Sequence, residues 1–139
     1  MHQNTSASLE KDVSMLFDTD VLIWFLRGNV NAAKAIDAEQ ERLISIVTYM
    51  ELAQGARSRK ELHQIKSFLV DAEFQMVTLS DRIGHRASIY IEEYGLGTSL
   101  GVADALIAAT AAEGNDPLCT GNHRHYGSIK ELDLRSFHP

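Results

Sequence analysis

VSMLFDTDVLIWFLRG, residues 13–28, changes character at Asp18. The residues before it are apolar apart from Ser14 and read as a buried strand that ends at Asp18. VLIWFLRG (21–28) then reads as a short helix stopped by Gly28. A strand feeding a helix through an acidic turn is the start of a strand–helix alternation, and the rest of the chain repeats it.

AAKAIDAEQ (32–40) follows as a second helix, and LISIV (43–47), β-branched and apolar, as a second strand. In TYMELAQGAR (48–57), Thr48 and Glu51 stand at the spacing of a capping box. KELHQIKSFLVDA (60–72) is an amphipathic helix with Leu62, Ile65, Phe68 and Leu69 on its inner side. FQMVTL (74–79) reads as a third strand, and residues 80–94 as a longer helix that ends at Gly95 and Gly97. Ser99 can cap the next helix, GVADALIAATAAEG (101–114), which stops at Gly114. PLCTG (117–121) is a short fourth strand and LDL (132–134) a weak fifth. Strands that alternate with helices build a mainly parallel sheet covered on both faces. The expected fold class is α/β: one three-layer α/β/α domain over residues 15–139, with a central sheet of four to five strands. Residues 1–14 read as a loose polar leader.

A chain of 139 residues fits one domain, and its 45% hydrophobic and 23% charged residues are those of an ordinary globular protein. Its apolar runs are too short to span a membrane. The single cysteine, Cys119, excludes an internal disulfide framework and suits a reducing, cytoplasmic setting. A net charge of −6, from 13 basic and 19 acidic residues, argues against broad nonspecific nucleic-acid binding. It leaves room for a nucleic-acid enzyme whose carboxylates hold metal.

Sites in open parallel sheets gather beyond the carboxyl ends of the strands. Asp18 and Asp20 follow the first strand, Glu51 the second, and Thr120 and Asn122 the fourth. Asp104 lies early in a helix that is apolar nearly all round, sharing a face with Leu100, Ile107, Ala108 and Ala111 and with no cation at i±3 or i±4. A carboxylate in such a helix is costly unless it is paired, hydrogen-bonded or bound to metal. Each acid also has a plainer reading: Asp18 and Asp20 as helix caps, Glu51 as the partner in a capping box, Asp104 as one half of a distant ion pair. Taken together, the acids would repel one another unless protonated or bridged by cations. Oxygen-only ligands favour Mg²⁺ or Mn²⁺ over zinc. Such ions activate water and stabilise charge on a phosphate undergoing in-line displacement, the chemistry of phosphodiester hydrolysis. His123 and His125, in GNHRHY, read first as part of a solvated basic loop; with Arg124 they could instead contact substrate phosphate. Trp24 and Phe25 read as core or interface residues.

FDTDVLIWFLRGN (17–29), SIVTYMELAQGAR (45–57), ADALIAATA (103–111) and CTGNHRHY (119–126), in that order and spacing, resemble the PIN-domain ribonucleases of the VapC type. These are the toxins of bacterial type II toxin–antitoxin pairs, and the resemblance runs from Met15 to Pro139. It implies a PIN-like fold and makes Asp18, Glu51, Asp104 and Asn122 the catalytic residues, with the three acids as the metal ligands. Asn122 stands where the family often has a fourth acid, and an amide brings hydrogen bonds but no charge. Thr120 matches a hydroxyl position near the site, and Asp20 falls behind the first ligand. The resemblance also implies a Mg²⁺- or Mn²⁺-dependent endoribonuclease, a homodimer, and a VapB-like antitoxin whose C-terminal segment covers the active site.

Two other readings stand beside it. DTDVL (18–22) is similar to the nucleophile loop D-x-D-x-[TV] of haloacid dehalogenase-like phosphatases, with Asp18 as nucleophile. Leu22 sits where Thr or Val belongs, and the later lysine and paired acids of that family are not evident. The third reading, a domain that binds a partner without catalysis, draws on the missing charge at Asn122.

Overall fold

The computed structural model describes residues 14–139. The leader expected over residues 1–14 lies outside the described residues except for Ser14, which opens the first strand. The elements run β1 Ser14–Phe17, α1 Thr19–Leu26, α2 Val30–Asp37, β2 Glu41–Ser45, α3 Ile46–Gln54, α4 Arg59–Asp71 and β3 Phe74–Val77. They continue as α5 Asp81–Tyr94, α6 Val102–Gly114, β4 Leu118–Thr120, α7 His123–Tyr126 and β5 Leu134–Ser136.

The five strands form one sheet in the order β3-β2-β1-β4-β5, and every pairing is parallel. Alternation along the strands assigns the two faces. Leu16, Leu43 and Leu118 point into a core with Ile83, Ala87, Leu100, Ala105 and Ala108 of α5, α6 and the turn before α6. Met15, Phe17, Ile44 and Cys119 point the other way, against Val21, Leu22, Ile36, Leu52, Ile65 and Leu69 of α1 to α4. Helices on both faces give the expected three layers. Arg82, near the start of α5, meets Glu113, at the end of α6, so these two helices pack antiparallel. From β1 the chain moves outward through β2 to β3, then returns to place β4 on the other side of β1. That reversal makes the carboxyl ends of β1 and β4 the crevice in which such sheets hold ligands.

Several boundaries differ from expectation: the fifth strand covers Leu134–Ser136 rather than 132–134, and the third ends at Val77 rather than at 79. The second strand covers Glu41–Ser45, so Ile46 and Val47 open α3 rather than close β2. Ser45 caps α3 by accepting from the Val47 amide at 3.0 Å, which removes the capping box assigned to Thr48 and Glu51. Glu41 and Arg42 join the sheet as polar residues because Arg42 is tied to the carbonyls of Glu39 and Ala72. The helix of Asp104 starts after Gly101, and Ser99 is not its cap. The stretch after β4, expected as a solvated loop, contains the single helical turn α7.

Candidate active site

Asp18 closes β1 and is the N-cap of α1, so the plain capping reading and a place in the crevice hold together. It is 3% exposed, and both of its oxygens are engaged. Oδ1 accepts from the Thr19 amide at 2.8 Å and from the Tyr126 hydroxyl at 3.1 Å; Oδ2 accepts from Thr120 Oγ1 at 2.7 Å. Thr120 comes from the end of β4, the strand beside β1. Burial pushes the Asp18 carboxyl up to about 6; the neighbouring Asp20 charge adds to this, while the Thr120 hydroxyl opposes it.

Asp104 sits in the first turn of α6 with its side chain 23% exposed. Its Oδ1 accepts from the same Tyr126 hydroxyl at 3.3 Å, so one phenol joins Asp18 to Asp104. Its Oδ2 accepts from the Gly101 amide at 3.4 Å, within its own helix turn. His125 Nδ1 stands 3.2 Å from Oδ2 but off the line of a hydrogen bond. The histidine is therefore a half-buried neighbour of the acid. His123 turns the other way, to Ser136 Oγ at 3.0 Å, so the two histidines point apart.

Glu51 projects from the middle of α3, and its Oε1 accepts from Thr19 Oγ1 at 2.6 Å. Thr48, one helical turn earlier, places its hydroxyl 2.9 Å from the same Thr19 oxygen. Glu51 thus reaches the site through the residue that follows Asp18. It also lines a groove of about 620 Å³ with Ile23, Leu26, Leu52 and Ile65.

Asp20 holds the turn after β4: its Oδ2 accepts from the Gly121 amide at 2.9 Å, while Oδ1 is buried without a partner. Burial raises its pKa, against the Gly121 amide, which lowers it. Asn122 is exposed at the start of α7, its side chain makes no capping bond, and its amide donates to Thr120 Oγ1 at 2.9 Å. Arg124 is exposed on the same turn. The structure therefore joins Thr120 to Asp18 directly and Asp104 to Asp18 through Tyr126, sets Glu51 and Asp20 alongside, and leaves Asn122 and Arg124 at the rim. Tyr126 and Thr19 are the members that residue types alone did not single out, and His125, read first as part of a solvated loop, lies beside Asp104. Tyr126 closes the quoted stretch CTGNHRHY, yet an aromatic there reads as core until its hydroxyl is located.

Among the described residues, none of the four acids Asp18, Asp20, Glu51 and Asp104 forms an ion pair with lysine or arginine. Nor do three carboxylate, imidazole or thiol groups converge there into a ready-made metal cage. What the site presents is a carboxylate pair with Asp18 buried and Asp104 half-buried, a third acid held by the hydroxyl of the residue that follows Asp18, and the N-termini of α1 and α6, whose dipoles favour negative charge. Asp20, the second acid of a phosphatase-type loop, is committed to the Gly121 amide rather than to the Asp18 carboxylate.

The PIN domain family profile matches residues 15–129. Ribonuclease VapC1 of Methanocaldococcus jannaschii is 30% identical over 131 residues, covering 93% of this chain and 91% of that protein. Ribonuclease VapC10 of Mycobacterium tuberculosis is 32% identical over 124 residues, 85% of this chain and 90% of its own. Among solved structures, a chain of a toxin–antitoxin complex from Klebsiella pneumoniae superposes with a TM-score of 0.74 at 29% identity, covering 85% of this chain and 94% of that one. A chain of the DNA-bound VapBC complex of Salmonella typhimurium, at 20% identity, shares the fold with a TM-score of 0.77 over 89% of this chain and 98% of that one. The chain belongs to the PIN domain family.

Proposed function

We propose that this protein is an endoribonuclease, the toxin of a VapBC-type toxin–antitoxin pair, that hydrolyses RNA with Mg²⁺ or Mn²⁺ held by Asp18, Glu51 and Asp104. The observation that carries the reading is the Asp18–Asp104 pair, Asp18 buried and Asp104 half-buried, at the crevice of the sheet and with no lysine or arginine paired to either among the described residues. Similarity to two ribonucleases over 85% and 93% of the chain supports the reaction class.

The donor set fits the ion. Mg²⁺ keeps several of its waters and is commonly bound by one or two carboxylates together with substrate phosphates, so a closed cage of protein ligands is not required. All the acids offer hard oxygen ligands, and Asp20 Oδ1 adds an unpartnered buried oxygen beside them. A divalent ion bound here supplies activated water and charge stabilisation for phosphodiester cleavage. The chain's own residues do the positioning. Thr120 and the Thr19 amide hold the Asp18 carboxylate in one orientation; the Thr19 hydroxyl holds Glu51; the first turn of α6 holds Asp104 on a packed helix. Asn122 and Arg124, at the rim, take the substrate side, the amide by hydrogen bonding and the guanidinium by contact with RNA phosphate.

The same reading gives the protein a VapB-like antitoxin partner that covers the site, a homodimeric state and a cytoplasmic setting, in keeping with a single cysteine, the buried Cys119. Among the described residues no helix is long and apolar enough to cross a membrane. The test is RNA cleavage by the purified chain, freed of antitoxin, in Mg²⁺ or Mn²⁺. Asp104→Asn should lose cleavage by at least a hundredfold with its circular dichroism spectrum unchanged. A variant that cuts as fast as the wild type would overturn the assignment.

A further inference from the structure

Tyr126 is fully buried, with its ring in the core beneath α6 and its hydroxyl between two carboxylates. A phenol has one proton to donate. It stands 3.1 Å from Asp18 Oδ1 and 3.3 Å from Asp104 Oδ1, so that proton is shared across the pair. The other groups that face the two acids among the described residues are the Thr19 and Gly101 amides, the Thr120 hydroxyl, the His125 ring and the Asp20 carboxylate; no lysine or arginine is among them. Two carboxylates held on packed elements in a poorly solvated site repel each other strongly, and a positive dipole between them lowers that cost. A phenylalanine would fill the same volume without supplying it.

We propose that Tyr126 is a positioning residue, its hydroxyl holding Asp18 and Asp104 together when no divalent cation is bound and sharing that role with the cation when one is. This rests on the reading above, that the carboxylate pair takes Mg²⁺ or Mn²⁺. An ordinary buried tyrosine would add the same stability with and without metal. A hydroxyl that stands in for missing charge adds most when metal is absent, and its loss leaves a pair that gains more from a cation.

The test is thermal melting of wild type and Tyr126→Phe, each with and without Mn²⁺. The variant should melt several degrees below wild type in the absence of metal, and Mn²⁺ should raise its melting temperature at least twice as far as it raises that of the wild type. An equal or smaller rise in the variant overturns the proposal while leaving the metal site standing. No rise in either protein overturns both. If the variant does not fold under either condition, the wild type decides. With its four tyrosines replaced by 3-fluorotyrosine and assigned by changing the other three, Mg²⁺ should shift the fluorine resonance of Tyr126. A resonance that stays in place overturns the proposal.

Discussion

Asp18 meets opposing demands that a surface carboxylate does not. Burial favours its neutral form, while three hydrogen bonds favour the charged one, and the balance leaves its pKa up at about 6 from an ordinary 3.8. A native pKa above the unfolded value means that the folded chain binds more protons between those two values. The metal-free protein is therefore most favoured below about pH 4 as far as this group is concerned, and it loses stability as pH rises through 6, in all by about 3 kcal/mol. A cation needs the deprotonated carboxylate, so its effect has the opposite sign. The melting-temperature rise produced by Mn²⁺ should be full at pH 7.5 and should fade as pH falls through about 6. A rise as large at pH 5 as at pH 7.5 would contradict the burial of this acid.

The short connection between β4 and α7 controls how the elements of the site meet. Gly121 has to be a glycine for reasons of space: a Cβ there would lie 2.7 Å from Asp20 Oδ2 and 3.2 Å from the Phe137 carbonyl. Gly121→Ala should therefore break the Asp20 bond or displace Phe137, just after β5, lowering stability by about 1–3 kcal/mol, as overpacking does. Urea denaturation measures it, and an unchanged midpoint would show that the turn yields without cost. Much of this architecture is legible from sequence because apolar runs, capping residues and glycines mark elements directly. FDTD locates the first strand and its acidic end, and the apolar helix around Asp104 marks that acid as unusual. What escapes such a reading depends on contacts made far along the chain. Ile46 and Val47 favour a strand locally, yet the Ser45 cap turns them into a helix. Glu41 and Arg42 look like loop, yet the β1 register draws them into the sheet. Tyr126 reads as core because nothing local reveals that its hydroxyl ends between acids from the turn after β1 and from α6.

At the scale of the molecule, two cores on the faces of a parallel sheet hold the ends of β1, β4 and α6 together. Stability of that kind, typically 5–15 kcal/mol for a domain, has to carry the burial of like charges at the sheet edge. Sites that bind or react are commonly kept at the expense of stability, and neutralising them tends to stabilise the free protein. Asp18→Asn makes the point sharply, since asparagine caps a helix as well as aspartate does and keeps the volume while removing the charge. Without metal the variant should melt no lower than the wild type. The decisive measurement is its affinity for Mn²⁺ against that of the wild type at pH 7.5, by titration calorimetry. The account predicts Mn²⁺ binding by the wild type and at least a tenfold weaker Kd in Asp18→Asn; an unchanged Kd, or no binding by the wild type, would contradict it.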